Sequence, residues 1–406
     1  MTGIMAQGTA HQMPFPDKHF HSVVFSPPYF GLRAYHGEQD ILWPGGYYRI
    51  MAGNTFHEAR VPEMRRALGS ETFVEDYVWH MLLVCREVKR VLREDGVLWL
   101  NIADSYNGSG GAGGDYNEGG LKEGQPKYPG HHLEGLKPGD AIGIPWRLAF
   151  ALQADGWTLR GVPLWVKDSV MPEPIDGWRW QPDSCTCTTE RREASIREQM
   201  AEQGVERHRV YRKAGDIGPD PKCPKCKGSG GEGPERLRQG SWRHTRSYEQ
   251  IFMLTKGMGY WADRAAAKMV MQTDANPRDI LRPARSNYKG EHFATYPPSL
   301  VVPLIASTVP RHACPACGMG WSQSYTTARY RPSCSCDDPR EPVAGRVLDP
   351  FIGSGSTALA AEELGVDWAG LDISRQYLRE EAAVRVLKRT PVGRLDDLPL
   401  FGGQLA

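Results

Sequence analysis

Val347-Leu348-Asp349 leads without a linker into Pro350-Phe351-Ile352-Gly353-Ser354-Gly355-Ser356-Thr357, and from there into an alanine-rich apolar stretch that closes at Leu364. A strand, a glycine-paired turn and a helix in immediate succession form a βα unit, and such units bury their apolar surface in an open sheet covered by helices. The hydrophobic pattern elsewhere agrees. Residues 20–26, with Val23, Val24 and Phe25, read as a short buried strand, and Phe73 to Leu92 carries apolar residues at helical spacing, with Asp95-Gly96 as the expected stop. Val97 to Ile102, Leu159 to Val166 and Gln250 to Thr255 read as further strands, and Ile144 to Ala154 as a helix. Trp368 to Leu371 then reads as a strand and residues 374–388 as an amphipathic helix. The expected fold is α/β, a mostly parallel sheet covered by helices.

At 406 residues and 45.3 kDa the chain is long for one domain, so one core with sizeable insertions is expected rather than two separate domains. The 49 Lys+Arg against 48 Asp+Glu exclude a uniformly basic surface, so any affinity for a polyanion must come from local patches. Met1 to Ala10 has no leader-like pattern, and no apolar stretch approaches the roughly 20 residues that cross a bilayer; the expectation is a soluble, cytoplasmic protein with no membrane partner. A glycine-rich stretch, residues 108–114, reads as a surface loop.

Of the 9 cysteines, Cys85 lies on the apolar face of a helix and reads as core. The others form the close pairs Cys185/Cys187, Cys223/Cys226, Cys314/Cys317 and Cys334/Cys336. In a reducing compartment such pairs read as metal ligands before disulfides. Tetrahedral zinc takes four such donors, and four thiolates close its coordination shell. The sequence therefore predicts two structural zinc ions, one on Cys185, Cys187, Cys223 and Cys226 and one on Cys314, Cys317, Cys334 and Cys336.

Ser26-Pro27-Pro28-Tyr29 ends the first strand. An exocyclic amine on a nucleobase is a poor nucleophile because its lone pair is delocalised into the ring, so a catalyst must accept from its N–H groups and favour a pyramidal nitrogen. The Ser26 hydroxyl and the Pro27 carbonyl are suitable acceptors, the prolines stiffen the backbone, and Tyr29 offers a face for a base. The same four residues also end strands that have no chemical role. In the second motif Gly353 and Gly355 allow close backbone approach, and Asp349 can accept from a cofactor ammonium group. Structural βα turns carry such glycines too; the discriminating residue is Asp372, at the end of the next strand, where an acidic side chain meets ribose hydroxyls in nucleotide-type sites.

Taken together, these residues resemble the site-specific DNA amino-methyltransferases of the permuted beta class, the N4-cytosine/N6-adenine family, in which the catalytic motif precedes the cofactor motif. The segments that carry the resemblance are residues 26–33, 97–106, 144–147, 248–256, 289–297 and the glycine motif. It implies a Rossmann-like sheet with permuted motif order and S-adenosyl-L-methionine as cofactor. It also implies that His292, Phe293 and Ala294 close over the methionine end and that Asp349, Phe351 and Gly353 contact the cofactor within Asp349–Thr357, a motif that includes Pro350, Gly355 and Ser356. Two departures stand out: the segment before the catalytic strand is short, and the family's usual Thr-Thr is Ser356-Thr357.

Serine at the head of the tetrapeptide is associated in this family with N4 methylation of cytosine in double-stranded DNA, by base flipping. N6 methylation of adenine is the near alternative, and a catalytically inactive zinc-containing DNA-binding protein the distant one. A homodimer and a cognate restriction endonuclease are the further partners the resemblance allows, in a bacterial or phage-infected cell. The expected organisation is residues 1–175 as the catalytic half, 176–246 as a cysteine-bearing recognition insertion, 247–310 as continued core, 311–342 as a second zinc-ribbon-like insertion and 343–406 as the cofactor half. Base reading is expected between Asp176 and Asn287, at Trp178-Arg179-Trp180, Arg207 to Lys213 and Trp242 to Arg246.

Overall fold

The computed structural model describes residues 3–31, 39–52, 55–108, 133, 135–167, 179–182, 235–238, 243–283, 296–324, 329–387 and 400–401. In chain order the first elements are β1 (Gly3–Gln7), β2 (Phe20–Phe25), β3 (Ile41–Trp43), β4 (Gly46–Ala52), β5 (Thr55–Val61) and β6 (Met64–Arg66). Next come α1 (Val74–Val91), β7 (Leu92–Ile102), α2 (Ile144–Ala154), β8 (Thr158–Gly161), β9 (Leu164–Val166), β10 (Arg179–Pro182), β11 (Glu235–Arg238) and β12 (Tyr248–Thr255). The remainder are α3 (Arg264–Val270), β13 (Ile280–Leu281), α4 (Pro298–Thr308), β14 (Ser322–Gln323), β15 (Tyr330–Arg331), β16 (Arg346–Asp349), α5 (Ser356–Leu364), β17 (Asp367–Asp372), a π-helical turn (Tyr377–Ala382), α6 (Ala383–Leu387) and β18 (Leu400–Phe401). The chain packs as two compact units, residues 1–168 with 248–406, and residues 169–247.

A 10-stranded sheet in the order β13-β9-β12-β7-β2-β16-β17-β1-β18, with β8 also on β12, organises the first unit. Its centre, from β7 to β18, is parallel, whereas β12 is antiparallel to β7, β8 and β9. Side chains alternate between faces at the strand period of two. Val23, Phe25, Leu98 and Leu100 pack with α1 and α2 residues on one face, while Val24, Val97 and Trp99 pack with α4 and α5 residues on the other. Cys85 is fully buried within α1, as its helical position predicts.

Three expectations are corrected. The helix ends at Val91 rather than at Asp95-Gly96: β2 and β7 slip from Phe20↔Leu92 to Ser22↔Val97, so Asp95-Gly96 belongs to an irregular start of β7, with Arg93 Nε donating to Asp95 at 2.8 Å. The strand expected over 159–166 is broken between β8 and β9, where Pro163 has no N–H to offer. The C-terminal helix begins with the π-helical turn, beside which Gly355 packs against Ala382. The short N-terminal segment supplies β1, which pairs with β17 from Gly3↔Trp368 to Gln7↔Asp372. The antiparallel pairs β3–β6 and β4–β5 were not anticipated. In the second unit β10 and β11 form an antiparallel pair that sets exposed Trp180 opposite exposed Leu237. Among the described residues no helix is long and apolar enough to cross a membrane.

Candidate active site

The chain leaves β2 through α1 for β7 on one side, and leaves β16 through α5 for β17 on the other. Between β2 and β16, which pair in parallel at Ser22↔Val347, the connections diverge. Open α/β sheets bind ligands at such a switch point, beyond the carboxyl ends of the strands. An open-mouthed cleft lies there, lined by Ser26 and Pro28 after β2, by Pro350 and Phe351 after β16, and by Asp372, Ile373 and Tyr377 after β17. Trp43, Ile41 and Leu68 form a further wall.

The tetrapeptide is held from behind. Tyr77 of α1 donates its hydroxyl to the Pro28 carbonyl at 2.9 Å, and Gly31 N–H donates to the Gly69 carbonyl at 2.9 Å. Gly69 sits at φ 89°, and a Cβ there would come within 2.9 Å of the Tyr29 carbonyl oxygen, so glycine is required on both counts. The Gly69 N–H in turn donates to Glu71, whose other oxygen meets His80 Nδ1 at 2.7 Å in a fully buried pair.

At the cleft, Ser26 Oγ donates to Tyr29 Oη at 2.9 Å, and Tyr29 Oη donates to Glu249 Oε2 at 2.7 Å. Asn101 Nδ2 donates to Tyr29 Oη and Glu249 Oε2, both at 2.8 Å. Lys167 Nζ pairs with Glu249 Oε1 and lies 4.4 Å from the centroid of the Trp165 ring. Burial, then the charge of Glu249, push the Tyr29 phenol well above its ordinary range, so it remains a neutral hydroxyl. Neither Asn101, Glu249 nor Lys167 was singled out from the sequence. Their signal was a polar residue at the end of an apolar strand, as in Trp99-Leu100-Asn101-Ile102.

Asp349 is 1% exposed. Its Oδ1 accepts from Phe351 N–H at 3.0 Å and its Oδ2 from the hydroxyls of Tyr296, at 2.7 Å, and Thr357. Burial raises its carboxyl to about 6 against those contacts. The structure thus places Asp349 as the buried tie of the turn, while Asp372 lines the cleft. Asp372 accepts from Gly353 N–H at 3.1 Å and Ser374 N–H at 2.8 Å, and desolvation raises its carboxyl to about 6 as well. Gly355, at φ 80°, leads into α5, and Arg385 fastens the turn by donating to the Ser354 carbonyl and to the Ser354 and Ser356 hydroxyls. A carboxylate, a glycine turn and the apolar faces of Phe351, Ile373 and Tyr377 suit a cofactor that joins a ribose to a cationic tail. His292, Phe293 and Ala294 lie outside the described residues.

The thiol sulfurs of Cys314, Cys317, Cys334 and Cys336 all lie within 4.8 Å of one another. Sulfurs about 2.3 Å from a common tetrahedral zinc would be about 3.8 Å apart, so the cluster has the dimensions of a four-thiolate zinc site. Backbone N–H groups of Cys317 and Ala316 lower the Cys314 thiol to about 7, while the neighbouring thiols raise Cys336 to about 12. Four crowded thiols resist joint ionisation without a cation among them. The knuckle is tied to the sheet by His21 Nε2–H, which donates to the Gly318 carbonyl at 2.8 Å, and by Arg93, which donates to the Cys317 carbonyl at 2.9 Å. Cys185, Cys187, Cys223 and Cys226 lie outside the described residues, as do Trp178, residues 207–213 and Trp242.

Over residues 20–384 the chain matches the family model described as DNA methylase. It is 29% identical over 377 residues to Type II methyltransferase M.SmaI of Serratia marcescens, covering 91% of this chain and 85% of that one. To Type II methyltransferase M.XycI of Xanthomonas campestris pv. cyanopsidis it is 27% identical, covering 88% of this chain and 78% of that one. Among solved structures it is similar to PvuII DNA methyltransferase (cytosine-N4-specific), at 15% identity and a TM-score of 0.49, with 97% of this chain and 89% of that chain covered. The Ser26–Tyr29 tetrapeptide stands ahead of the glycine turn, the motif order of the permuted methyltransferases. The chain belongs to the DNA methylase family, whose members are the DNA amino-methyltransferases of the N6/N4 type.

Proposed function

We propose that this protein uses S-adenosyl-L-methionine to methylate the exocyclic N4 amine of cytosine in duplex DNA, with the target base turned out of the helix into the cleft. One observation carries the reading: Ser26 and Pro28 share a single cleft with Pro350, Phe351 and Asp372, so an amine held at one strand end faces a cofactor held at the next. The cofactor supplies a methyl group activated by its sulfonium. Asp372 would accept from its ribose hydroxyls, and Phe351 and Gly353 would line its bed. Asp349, with Thr357, keeps the turn in shape, and Pro350, Gly355 and Ser356 complete it. His292, Phe293 and Ala294 are assigned to the methionine end by resemblance. On the other side, Ser26 Oγ and the Pro27 carbonyl would accept from the amine, and Tyr29 would flank the base.

By the family resemblance, serine rather than aspartate at the head of the tetrapeptide supports cytosine over adenine. The type II relatives support site-specific modification alongside a restriction endonuclease. The Cys314, Cys317, Cys334 and Cys336 cluster would hold a structural zinc, and residues 176–246 would carry a second on Cys185, Cys187, Cys223 and Cys226 together with the base-reading surface. Nucleoside analysis of DNA treated with the protein and methyl-labelled cofactor tests the reading. Label in N4-methylcytosine is expected; label in N6-methyladenine would correct the base, and label in neither would reject methyl transfer to DNA.

A further inference from the structure

We infer that Glu249 is a positioning residue for methyl transfer, holding the Asn101 amide so that its oxygen shares with Ser26 Oγ one N–H of the target amine. The identity of that amine rests on the reading of the cleft given above. Asn101 lies next to the end of β7 and is 5% exposed. Both its strongest contacts use Nδ2, toward Tyr29 Oη and Glu249 Oε2. Turning the amide over would set Oδ1 against the carboxylate oxygen, acceptor against acceptor, so Glu249 fixes which atom faces which way. The remaining atom, Asn101 Oδ1, is buried and has no hydrogen-bond partner among the described residues. Folded proteins leave few such acceptors without a partner, and those they leave call for an explanation.

The geometry supplies one. Ser26 Oγ lies 3.4 Å from Asn101 Nδ2, so the amide belongs to the same cluster as the tetrapeptide's own acceptor. An acceptor here would gain strength as positive charge develops on the attacking nitrogen, and because it is already oriented it needs no rearrangement. An amide takes no proton, so the proton shed by the methylated amine goes to solvent. The other Glu249 oxygen is held by Lys167, which keeps the carboxylate from swinging away from Asn101. The arrangement is possible because β12 runs antiparallel to β7: Gln250 lies opposite Ile102, which brings the amino end of β12 to the carboxyl end of β7.

The test uses the full-length protein with asparagine side chains labelled with nitrogen-15, the Asn101 signal being identified by its loss in Asn101→Ala. Its Nδ2 protons should be protected from solvent exchange in the parent protein and exchange about ten-fold faster in Glu249→Gln. Methyl transfer in a single turnover should slow by about ten-fold in Glu249→Gln, with DNA and cofactor dissociation constants held within about two-fold, and the same substitution should have little effect in an Asn101→Ala background. Unaltered amide exchange in Glu249→Gln overturns the inference whichever base is methylated. Equal slowing in both backgrounds overturns the route through Asn101. If the parent protein transfers no methyl group to DNA, the proposed function fails and the amide exchange alone decides the inference. Should Glu249→Gln not fold, Lys167→Met loosens the carboxylate without removing it and is read by the same two measurements.

Discussion

Tyr29 has a ring, proposed to flank the base, and a hydroxyl held by Ser26, Asn101 and Glu249, and the two can be separated. Tyr29→Phe keeps the ring and breaks the network, which should lower methyl transfer by about ten-fold, the scale of one hydrogen bond to a charged group. Tyr29→Ala and Ser26→Ala should lose transfer almost entirely while cofactor binding, read by titration calorimetry, stays within about two-fold. Near-normal turnover in Tyr29→Ala would end the stacking role. The two aspartates differ in kind. Asp372→Ala removes a group at the cleft and should weaken cofactor binding by about 1.5–3 kcal/mol. Asp349 is a matter of pH. Its folded carboxyl titrates at about 6 against an ordinary 3.8, so the folded state holds the proton more tightly. That contribution to stability is fully present below about 3.8 and lost as pH rises through about 6. Melting curves of the cofactor-free protein should therefore show a shallower fall in stability between pH 4 and 6 for Asp349→Asn than for the parent. An identical slope in the two would remove Asp349 as its source.

The central elements were legible because they are short apolar runs buried on both faces: Val23, Val24 and Phe25, and Val97 to Ile102, each show one face to α1 and the other to α4. The turn after β16 was legible because Gly353 and Gly355 stand directly between a strand and a helix. What escaped was long-range or weakly patterned. The strands β3 to β6 carry exposed and charged positions, such as Tyr47, Phe56 and Arg65, in no steady alternation. Asn101 and Glu249 are 148 residues apart, and only strand pairing brings them together. The clustering of Cys314, Cys317, Cys334 and Cys336 was legible from their paired spacing, but its seat on the sheet was not. His21 and Arg93 anchor it at the starts of β2 and β7, about 17 Å of strand before Ser26 at roughly 3.3 Å per residue. Zinc there should act on the sheet before it acts on the cleft. Chelation, or Cys334→Ser, should lower the melting temperature and release one zinc per chain while cofactor affinity at low temperature changes little. Metal analysis finding no zinc, with Cys317, Cys334 and Cys336 titrating freely in the native protein, would rule the site out.

For the whole molecule, a net charge of +1 means that the catalytic sheet cannot rely on a general attraction to DNA. Recognition has to be concentrated. Residues 169–247 form a compact unit of their own, inserted between β9 and β12, whose paired strands show Trp180 and Leu237 at 64% and 46% exposure. An exposed Trp–Leu pair cannot help to hold a pair of strands against water as a buried one would, and an aromatic side chain can fill the gap that a flipped base leaves behind. Arg243 and Arg246 stand in the same unit and, on the proposed reading, would supply the charge that a phosphate contact needs. These two kinds of contact predict different behaviour. Arg243→Ala with Arg246→Ala should weaken binding to specific and unrelated duplexes alike and reduce the dependence of affinity on salt by about one or two counterions. Trp180→Ala should leave the salt dependence alone and narrow the preference for the specific duplex, with cofactor binding unchanged in both variants. Fluorescence anisotropy with labelled duplexes across a salt series separates the two. If neither variant alters DNA affinity at any salt concentration, the recognition surface lies outside this unit, and the assignment of residues 176–246 to base reading is wrong.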